Sequence, residues 1–260
     1  MMELEKIPQS IADMVGGRSF YLDDIGRSDS KILLFEDRVL KIEKMTENAR
    51  REYEILSFLQ GKLPVPQILA REESEGYQYL LMTKLQGNMA CADGYDPKKV
   101  TIGLANGLKM LWQADITDCP ERHTVSDKLL EAKKRLDSGY FHGKRPDAEN
   151  FENFDALYAY LSQNRPEETL VFSHGDYCLP NVFLDGESAV GFLDLGYGGI
   201  ADKWYDIMMC LWSMRYNFCE FLGMPEEEFP KYQRLLFEHL GLAEDAEKIR
   251  YHQLLDLFFE

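Results

Sequence analysis

The chain has 260 residues, of which 45% are hydrophobic and 12% aromatic, a composition typical of a globular protein and not of a disordered one. Its formal net charge of −16 opposes binding to nucleic-acid backbones and to anionic lipid surfaces. No apolar run approaches the about 20 residues that span a bilayer, and residues 1–15 lack the basic and apolar regions of a secretory signal.

The first third of the chain is predicted to be rich in strands. Residues 47–60 have apolar residues at helical spacing and charges on the opposite face, which predicts an amphipathic helix ending at Gly61. Glu36-Asp37 is a plausible hairpin turn. Apolar runs predict four strands: 18–22, 31–35, 38–42 and 77–84.

The remainder of the chain is predicted to be mainly helical, with a strand-rich block at 169–194. A β-rich first part and a helical second part predict an α+β protein of two unequal lobes, 1–84 and 85–260, with a cleft between them. Helical periodicity predicts six helices: 98–114, 126–138, 152–163, 203–221, 228–240 and 245–259.

The acidic charge is concentrated in the second part. Residues 1–87 carry 12 Lys and Arg against 15 Asp and Glu, a net of −3, and residues 88–260 carry 17 against 30, a net of −13. Such a distribution indicates either a solvated surface or a cleft that attracts a polycation. The five cysteines are odd in number and form no CxxC pair, which favours neither a disulfide framework nor a zinc site. We therefore expect a cytoplasmic protein.

The strand-rich block carries the clearest chemical signal. A His-Gly-Asp motif ends at Asp176, Asn181 follows five residues later, and a second apolar run ends in Asp194-Leu-Gly. A hairpin that turns at Asp185-Gly186 would bring Asn181 and Asp194 close together. An amide oxygen and a carboxylate suit Mg²⁺. Asp176 lies on the preceding loop, where it is free to accept the proton of an attacking hydroxyl.

This spacing is that of the catalytic loop and the metal-binding Asp of protein kinases. Phosphoryl transfer relies on positioning and charge neutralisation, so that a carboxylate and a metal site are sufficient equipment. The interpretation also requires a strand Lys and a helix Glu. Lys41 and Glu52 meet this requirement, with Glu54 as the alternative partner.

The phosphate-binding loop is less well defined. No glycine-rich kinase loop and no GxxxxGK[ST] motif occur in the chain, which argues against a P-loop enzyme. Residues 26–30 are the only candidate cover for the phosphates, with Ser28 or Ser30 and backbone N–H groups as donors.

The chain resembles the aminoglycoside 3′-phosphotransferases over essentially its whole length. The resemblance implies a protein-kinase-like two-lobed fold. It also implies Mg²⁺- and ATP- or GTP-dependent phosphorylation of an aminoglycoside hydroxyl, expected at the 3′ position, which inactivates the antibiotic and confers resistance. The segments that carry it are 174–181 (HGDYCLPN), 191–196 (GFLDLG), 200–207 (IADKWYDI), 61–66 (GKLPVP) and 115–120 (DITDCP).

Carried over by position, the resemblance implies a role for each residue of the proposed site. Asp176 would be the catalytic base, Asn181 and Asp194 the Mg²⁺ ligands, Lys41 the contact to the α- and β-phosphates, and Glu52 its ion-pair partner. The resemblance implies further nucleotide contacts. Ser28 would contact the triphosphate, and Met82, Thr83 and Leu85 would belong to the hinge that binds adenine through backbone groups.

The acceptor side departs from the family pattern. The helix after Asp206, a residue expected to brace the catalytic loop, often carries acids that bind substrate ammonium groups. Here it carries Trp212, Tyr216 and Asn217. The identity of the acceptor therefore stays open. Six residues are candidates for contacts to it: Asp147, Glu149, Glu220, Asp256, Phe259 and Glu260.

Three alternatives remain. The same chemistry could serve another small-molecule hydroxyl, of a different antibiotic or of an amino alcohol metabolite. A catalytically silent kinase-like binding protein is disfavoured because Asp176, Asn181 and Asp194 are all present. A protein kinase is disfavoured because the chain is short and lacks an Ala-Pro-Glu segment after Asp194.

Overall fold

The computed structural model describes residues 7–23, 30–92, 94–148 and 150–259. The strands are β1 (Tyr21–Asp23), β2 (Lys31–Leu34), β3 (Arg38–Lys44), β4 (Ile68–Ser74), β5 (Tyr77–Thr83), β6 (Asn88–Met89), β7 (Leu170–Ser173), β8 (Val182–Asp185), β9 (Ser188–Phe192) and β10 (Gly199–Asp202). The helices are α1 (Gln9–Val15), α2 (Glu47–Leu59), α3 (Pro97–Trp112), α4 (Val125–Asp137), α5 (Phe154–Gln163), α6 (Lys203–Arg215), α7 (Phe229–Leu240) and α8 (Ala246–Asp256).

The first five strands form one antiparallel sheet in the order β1-β2-β3-β5-β4. Side chains alternate between its two faces, as the pleat requires. Leu40 and Leu81 point to the face that α1 covers, whereas Leu80 points to the face that α2 covers. Lys41 lies opposite Leu80 in the register of β3 and β5, and this places Lys41 on the α2 side of the sheet.

The helical part is built around α3. Its buried face packs against α7 and against the hairpin of β8 and β9, and β6 extends that hairpin to a three-stranded sheet. A second apolar cluster joins α4, α5 and α8, with the stacked rings of Phe141 and Phe154 and the edge of Phe258 at its centre. In the parts of the chain that the structure describes, every helix is too short or too polar to span a bilayer.

All the predicted helices are present, with bounds within two residues except at 203–221 and 245–259. The prediction of one α-helix over 203–221 was wrong, because the α-helix ends at Arg215 and a π-helical turn, Tyr216–Phe221, follows. The side-chain amide of Asn217 donates to the Ser213 carbonyl at 2.8 Å. This bond competes for a carbonyl that the Asn217 N–H would use in a regular helix.

Helix α1 and strand β4 were not predicted. Helix α1 has only seven residues, and β4 contains the polar run Arg71-Glu72-Glu73 at positions with intermediate or high exposure. Neither gives a clear periodic signal. The lobe boundary at 84/85 stays a prediction. Strand β5 ends at Thr83, and the largest apolar cluster contains residues from both sides of that position.

Replacing Gly107 by alanine is expected to destabilise the protein. An added Cβ would lie 2.2 Å from the hydroxyl oxygen of Tyr177, which is fully buried and donates to the Leu104 carbonyl at 2.8 Å. The clash should lower the free energy of unfolding by about 1–3 kcal/mol, although a glycine-to-alanine change inside a helix normally raises it by roughly 0.5–1 kcal/mol.

Urea unfolding of Gly107→Ala against Gly103→Ala tests this expectation. In the control, the new Cβ would meet only the end of the Leu184 side chain, at 2.9 Å, and this side chain can rotate away. Equal free energies of unfolding for the two variants would show that a side chain at residue 107 does not clash with Tyr177.

Candidate active site

A buried carboxylate fixes the loop that carries the predicted base. Asp206 accepts hydrogen bonds from the Ser173 hydroxyl (2.9 Å) and from the N–H groups of His174 (2.8 Å) and Gly175 (3.0 Å). Burial raises the pKa of Asp206, against the lowering effect of His174 and of these bonds. Gly175 has φ +78°, and a Cβ there would lie 2.0 Å from the Tyr197 carbonyl oxygen. The bracing role predicted for Asp206 is confirmed by these contacts.

Asp176 lies on this loop with a partly exposed side chain. The Asn181 side-chain amide donates to its Oδ2 at 2.9 Å and to its main-chain carbonyl at 3.0 Å. The Cys178 thiol donates to its Oδ1 at 3.0 Å. Each carboxylate oxygen keeps a further lone pair, so the group is held in place and is still able to accept a proton.

Asn181 and Asp194 meet at the open end of the β8–β9 hairpin. Val182 pairs with Phe192, and the Leu193 N–H donates to the Asn181 carbonyl at 2.9 Å. The predicted turn is confirmed, with Gly186 at φ +60°. The Asp194 side chain is exposed and its φ is +54°, a left-handed conformation that is uncommon outside glycine and is often found at functional sites.

This end of the hairpin fits Mg²⁺. Both hydrogen bonds of Asn181 use its amide nitrogen, so its amide oxygen is left for another partner. Asp194, which follows Leu193 at this end of the hairpin, supplies a carboxylate. Among the described residues, no cluster of three or more His, Cys, Asp or Glu side chains is arranged to hold a metal. A pair of oxygen ligands suits a Mg²⁺ ion that shares its other positions with phosphates and water.

Lys41 forms an ion pair with Glu52, and its Nζ lies 3.4 Å from a carboxylate oxygen of Glu43. Burial alone would lower the pKa of Lys41, but Glu52 and Glu43 outweigh it and raise that pKa, so Lys41 stays protonated. The charge of Asp194 also raises the pKa of Lys41. The alternative partner, Glu54, is paired with Arg50 instead.

The predicted hinge is partly occupied by protein contacts. The Thr83 N–H donates to the Gln67 carbonyl, and Thr83 Oγ1 accepts from the Gln67 N–H, both at 2.9 Å. Met82 lies within β5, opposite Val39. Within the described residues the backbone N–H and C=O groups of Leu85 make no hydrogen bond. Leu85 is therefore the hinge residue whose backbone is most available.

One cavity of about 900 Å³ brings two of the predicted acceptor residues together. Asp147 and Asp256 line it, with Trp212, Arg215 and Arg250. Arg215 is paired with Glu226. The cavity thus combines acids, arginines and an aromatic face.

Two other acceptor candidates lie outside this cavity. Glu220 is exposed on the π-helical turn, and the Phe259 ring lies 5.0 Å from the Lys128 ammonium. The remaining predicted site residues, Ser28, Glu149 and Glu260, lie outside the described residues.

Sequence patterns missed Tyr205, which directly precedes Asp206 and bonds to Asp256 of the cavity. Its hydroxyl donates to Asp256 at 2.7 Å, and its ring lies 3.5 Å from the ammonium of Lys128. Burial raises the pKa of Tyr205, and the charges of Asp256, Asp206 and Asp176 raise it further. Burial lowers the pKa of Lys128 to about 8. No local motif signals these contacts, which join residues far apart in sequence.

Comparison with known proteins identifies the family. A family model, the phosphotransferase enzyme family (APH), matches residues 24–235. An aminoglycoside 3′-phosphotransferase of Enterococcus faecalis is 35% identical over 245 residues, with 90% of this chain and 87% of that protein covered. One of Staphylococcus aureus is 33% identical over 270 residues, with 99% and 97% covered.

Solved structures show the same fold. The crystal structure of an aminoglycoside-3′-phosphotransferase of type VIII matches with a TM-score of 0.75 and 24% identity, covering 96% of this chain and 97% of that one. The aminoglycoside phosphotransferase APH(3″)-Id from Streptomyces rimosus, in complex with ADP and streptomycin, matches with a TM-score of 0.75, 20% identity and full coverage of both chains. The predicted kinase-like α+β fold is confirmed. The chain therefore belongs to the phosphotransferase enzyme family, together with these aminoglycoside 3′-phosphotransferases.

Proposed function

We propose that this protein transfers the γ-phosphoryl group of ATP or GTP, with Mg²⁺, to the 3′-hydroxyl of an aminoglycoside in the cytoplasm, and so confers resistance. One observation carries the proposal: the Asn181 amide binds the Asp176 carboxylate, and the Asn181 carbonyl pairs with Leu193, next to Asp194. The ion pair of Lys41 with Glu52 supplies a cation for the phosphates. The relatives named above are aminoglycoside 3′-phosphotransferases, and one matching structure holds ADP and streptomycin.

In this reaction Asp176 orients the acceptor hydroxyl and accepts its proton as the oxygen–phosphorus bond forms. The bond between the γ-phosphorus and the bridging oxygen breaks, and the nucleoside diphosphate leaves. Lys41 binds the α- and β-phosphates, held in place by Glu52. Asn181 and Asp194 would hold Mg²⁺, which when bound neutralises phosphate charge. The backbone of Leu85, with Met82, Thr83 and Ser28, would complete the nucleotide site.

The acceptor is proposed to bind in the cavity near Tyr205. Asp147 and Asp256 supply negative charge for ammonium groups, and the net charge of −16 favours the approach of a polycation. Trp212 is 57% exposed, so its ring is available to a sugar or an ammonium group.

Asp256→Asn is expected to raise KM for the aminoglycoside about tenfold, with a smaller effect on kcat, because one charge-assisted contact is lost. The amide can still accept the hydrogen bond from Tyr205. Steady-state kinetics checks this against Asp137→Asn, which neutralises an exposed acid that is paired with Lys133 on α4. An unchanged KM would remove Asp256 from the acceptor site.

Release of nucleoside diphosphate, measured across aminoglycosides with and without a 3′-hydroxyl, tests the proposed function. Turnover should require the 3′-hydroxyl, and the phosphorylated position should be C3′ in the product. Equal turnover of 3′-deoxy compounds would move the reaction to another hydroxyl. Turnover only with another antibiotic or an amino alcohol would support the alternative acceptor.

A further inference from the structure

Asp176 has a hydrogen-bond donor on each carboxylate oxygen. Asn181 donates to Oδ2, and this residue already has a proposed metal role. The donor to Oδ1 is the Cys178 thiol, at 3.0 Å between sulfur and oxygen. No role in the reaction has been given to Cys178 so far.

The backbone next to Cys178 is held by α6. Ser213, 1% exposed, accepts hydrogen bonds at Oγ from the Leu179 N–H (2.9 Å) and from the Asn217 amide (3.4 Å). Burial and the charge of Asp176 raise the pKa of Cys178. The thiol therefore keeps its proton and acts as a donor.

We propose that Cys178 is a positioning residue for Asp176: its S–H fixes the carboxylate in the orientation that accepts the acceptor's proton. This inference rests on the proposed function, in which Asp176 is the base. The bond from Cys178 restrains rotation of the carboxylate about the Cβ–Cγ bond. Without it, only Asn181 would restrain this rotation, through one of the two oxygens.

The test compares Cys178→Val, which fills a similar volume without a donor, with Cys178→Ser, which retains one. Cys178→Val should lower kcat about tenfold, with both KM values unchanged. Cys178→Ser should keep most of kcat. Cys178→Ala provides a second donorless variant in case valine does not fold.

Cys119→Ala is the matched control, because the Cys119 thiol donates to the Glu121 carbonyl at 3.6 Å, away from the catalytic loop. Donorless Cys178 variants with the kcat of this control would overturn the inference. Equal losses in Cys178→Ser and the donorless variants would also overturn it, since packing would then explain them. Asp176→Asn, assayed in parallel, separates the two proposals: if that variant stays active, the proposed base is wrong, whereas an inactive Asp176→Asn with a normal Cys178→Val removes only the positioning role.

Discussion

Asp176→Asn is expected to reduce kcat by about 10³-fold or more, within the roughly 10²–10⁴-fold range of general-base catalysis combined with lost orientation of the hydroxyl. Asparagine has the shape of aspartate and cannot accept the proton at neutral pH. Nucleotide binding should change little, because Lys41 and the residue pair at the hairpin end are retained. Nucleoside diphosphate release gives kcat, and nucleotide titration gives the dissociation constant.

Asp185→Asn is the matched control for this variant. Asp185 is exposed at the end of β8, so the same chemical change occurs outside the site. An Asp176→Asn enzyme that retains more than a tenth of the wild-type kcat would place the base elsewhere. Loss of nucleotide binding together with kcat would instead indicate that the variant has disturbed the loop as a whole.

Asp194→Asn should cause the second large loss, a fall in kcat of about 10²-fold or more, because phosphoryl transfer depends on metal neutralisation of phosphate charge. The substitution removes the only carboxylate of the two proposed Mg²⁺ ligands. Asparagine tolerates the φ of +54° at this position better than alanine does. Nucleotide affinity, measured with and without Mg²⁺, should rise with the metal in the wild-type protein and much less in the variant.

Asp118→Asn is the control for the positive φ at position 194. Asp118 is also an exposed aspartate with positive φ, at +60°, on the loop after α3. It should behave as the wild-type protein does in every assay. A wild-type response to Mg²⁺ in Asp194→Asn would remove this residue from the metal site and leave the ligand set unexplained.

The arrangement of Asp176, Asn181 and Asp194 could be predicted because it is local. A loop, a short turn and a hairpin join these residues within 19 positions, and the hairpin register follows from two apolar runs separated by a turn. Pairing of Lys41 with Glu52 was predictable for a related reason. A strand followed directly by a helix that packs on the same sheet face leaves few alternatives.

The acceptor side could not be predicted to the same depth. Tyr205 and Asp256 are 51 residues apart, and Ser213 lies 34 residues from Leu179, so no periodicity signals either contact. Acids near α6 and at the C-terminal end were equally plausible candidates in the sequence. Only tertiary packing separates Asp256, which lines the cavity, from Glu220, which is exposed outside it.

The largest apolar cluster contains Leu56 and Leu80 from the first part of the chain and Leu104, Phe192 and many others from the second. Residues on both sides of the proposed cleft thus depend on one continuous interior, unlike the polar interface that usually joins separately folding domains. Separating the lobes would expose that apolar interior to water. Opening of the cleft by more than a small sliding movement therefore costs free energy. We therefore expect the sheet that holds Lys41 and the hairpin that holds Asp194 to unfold together.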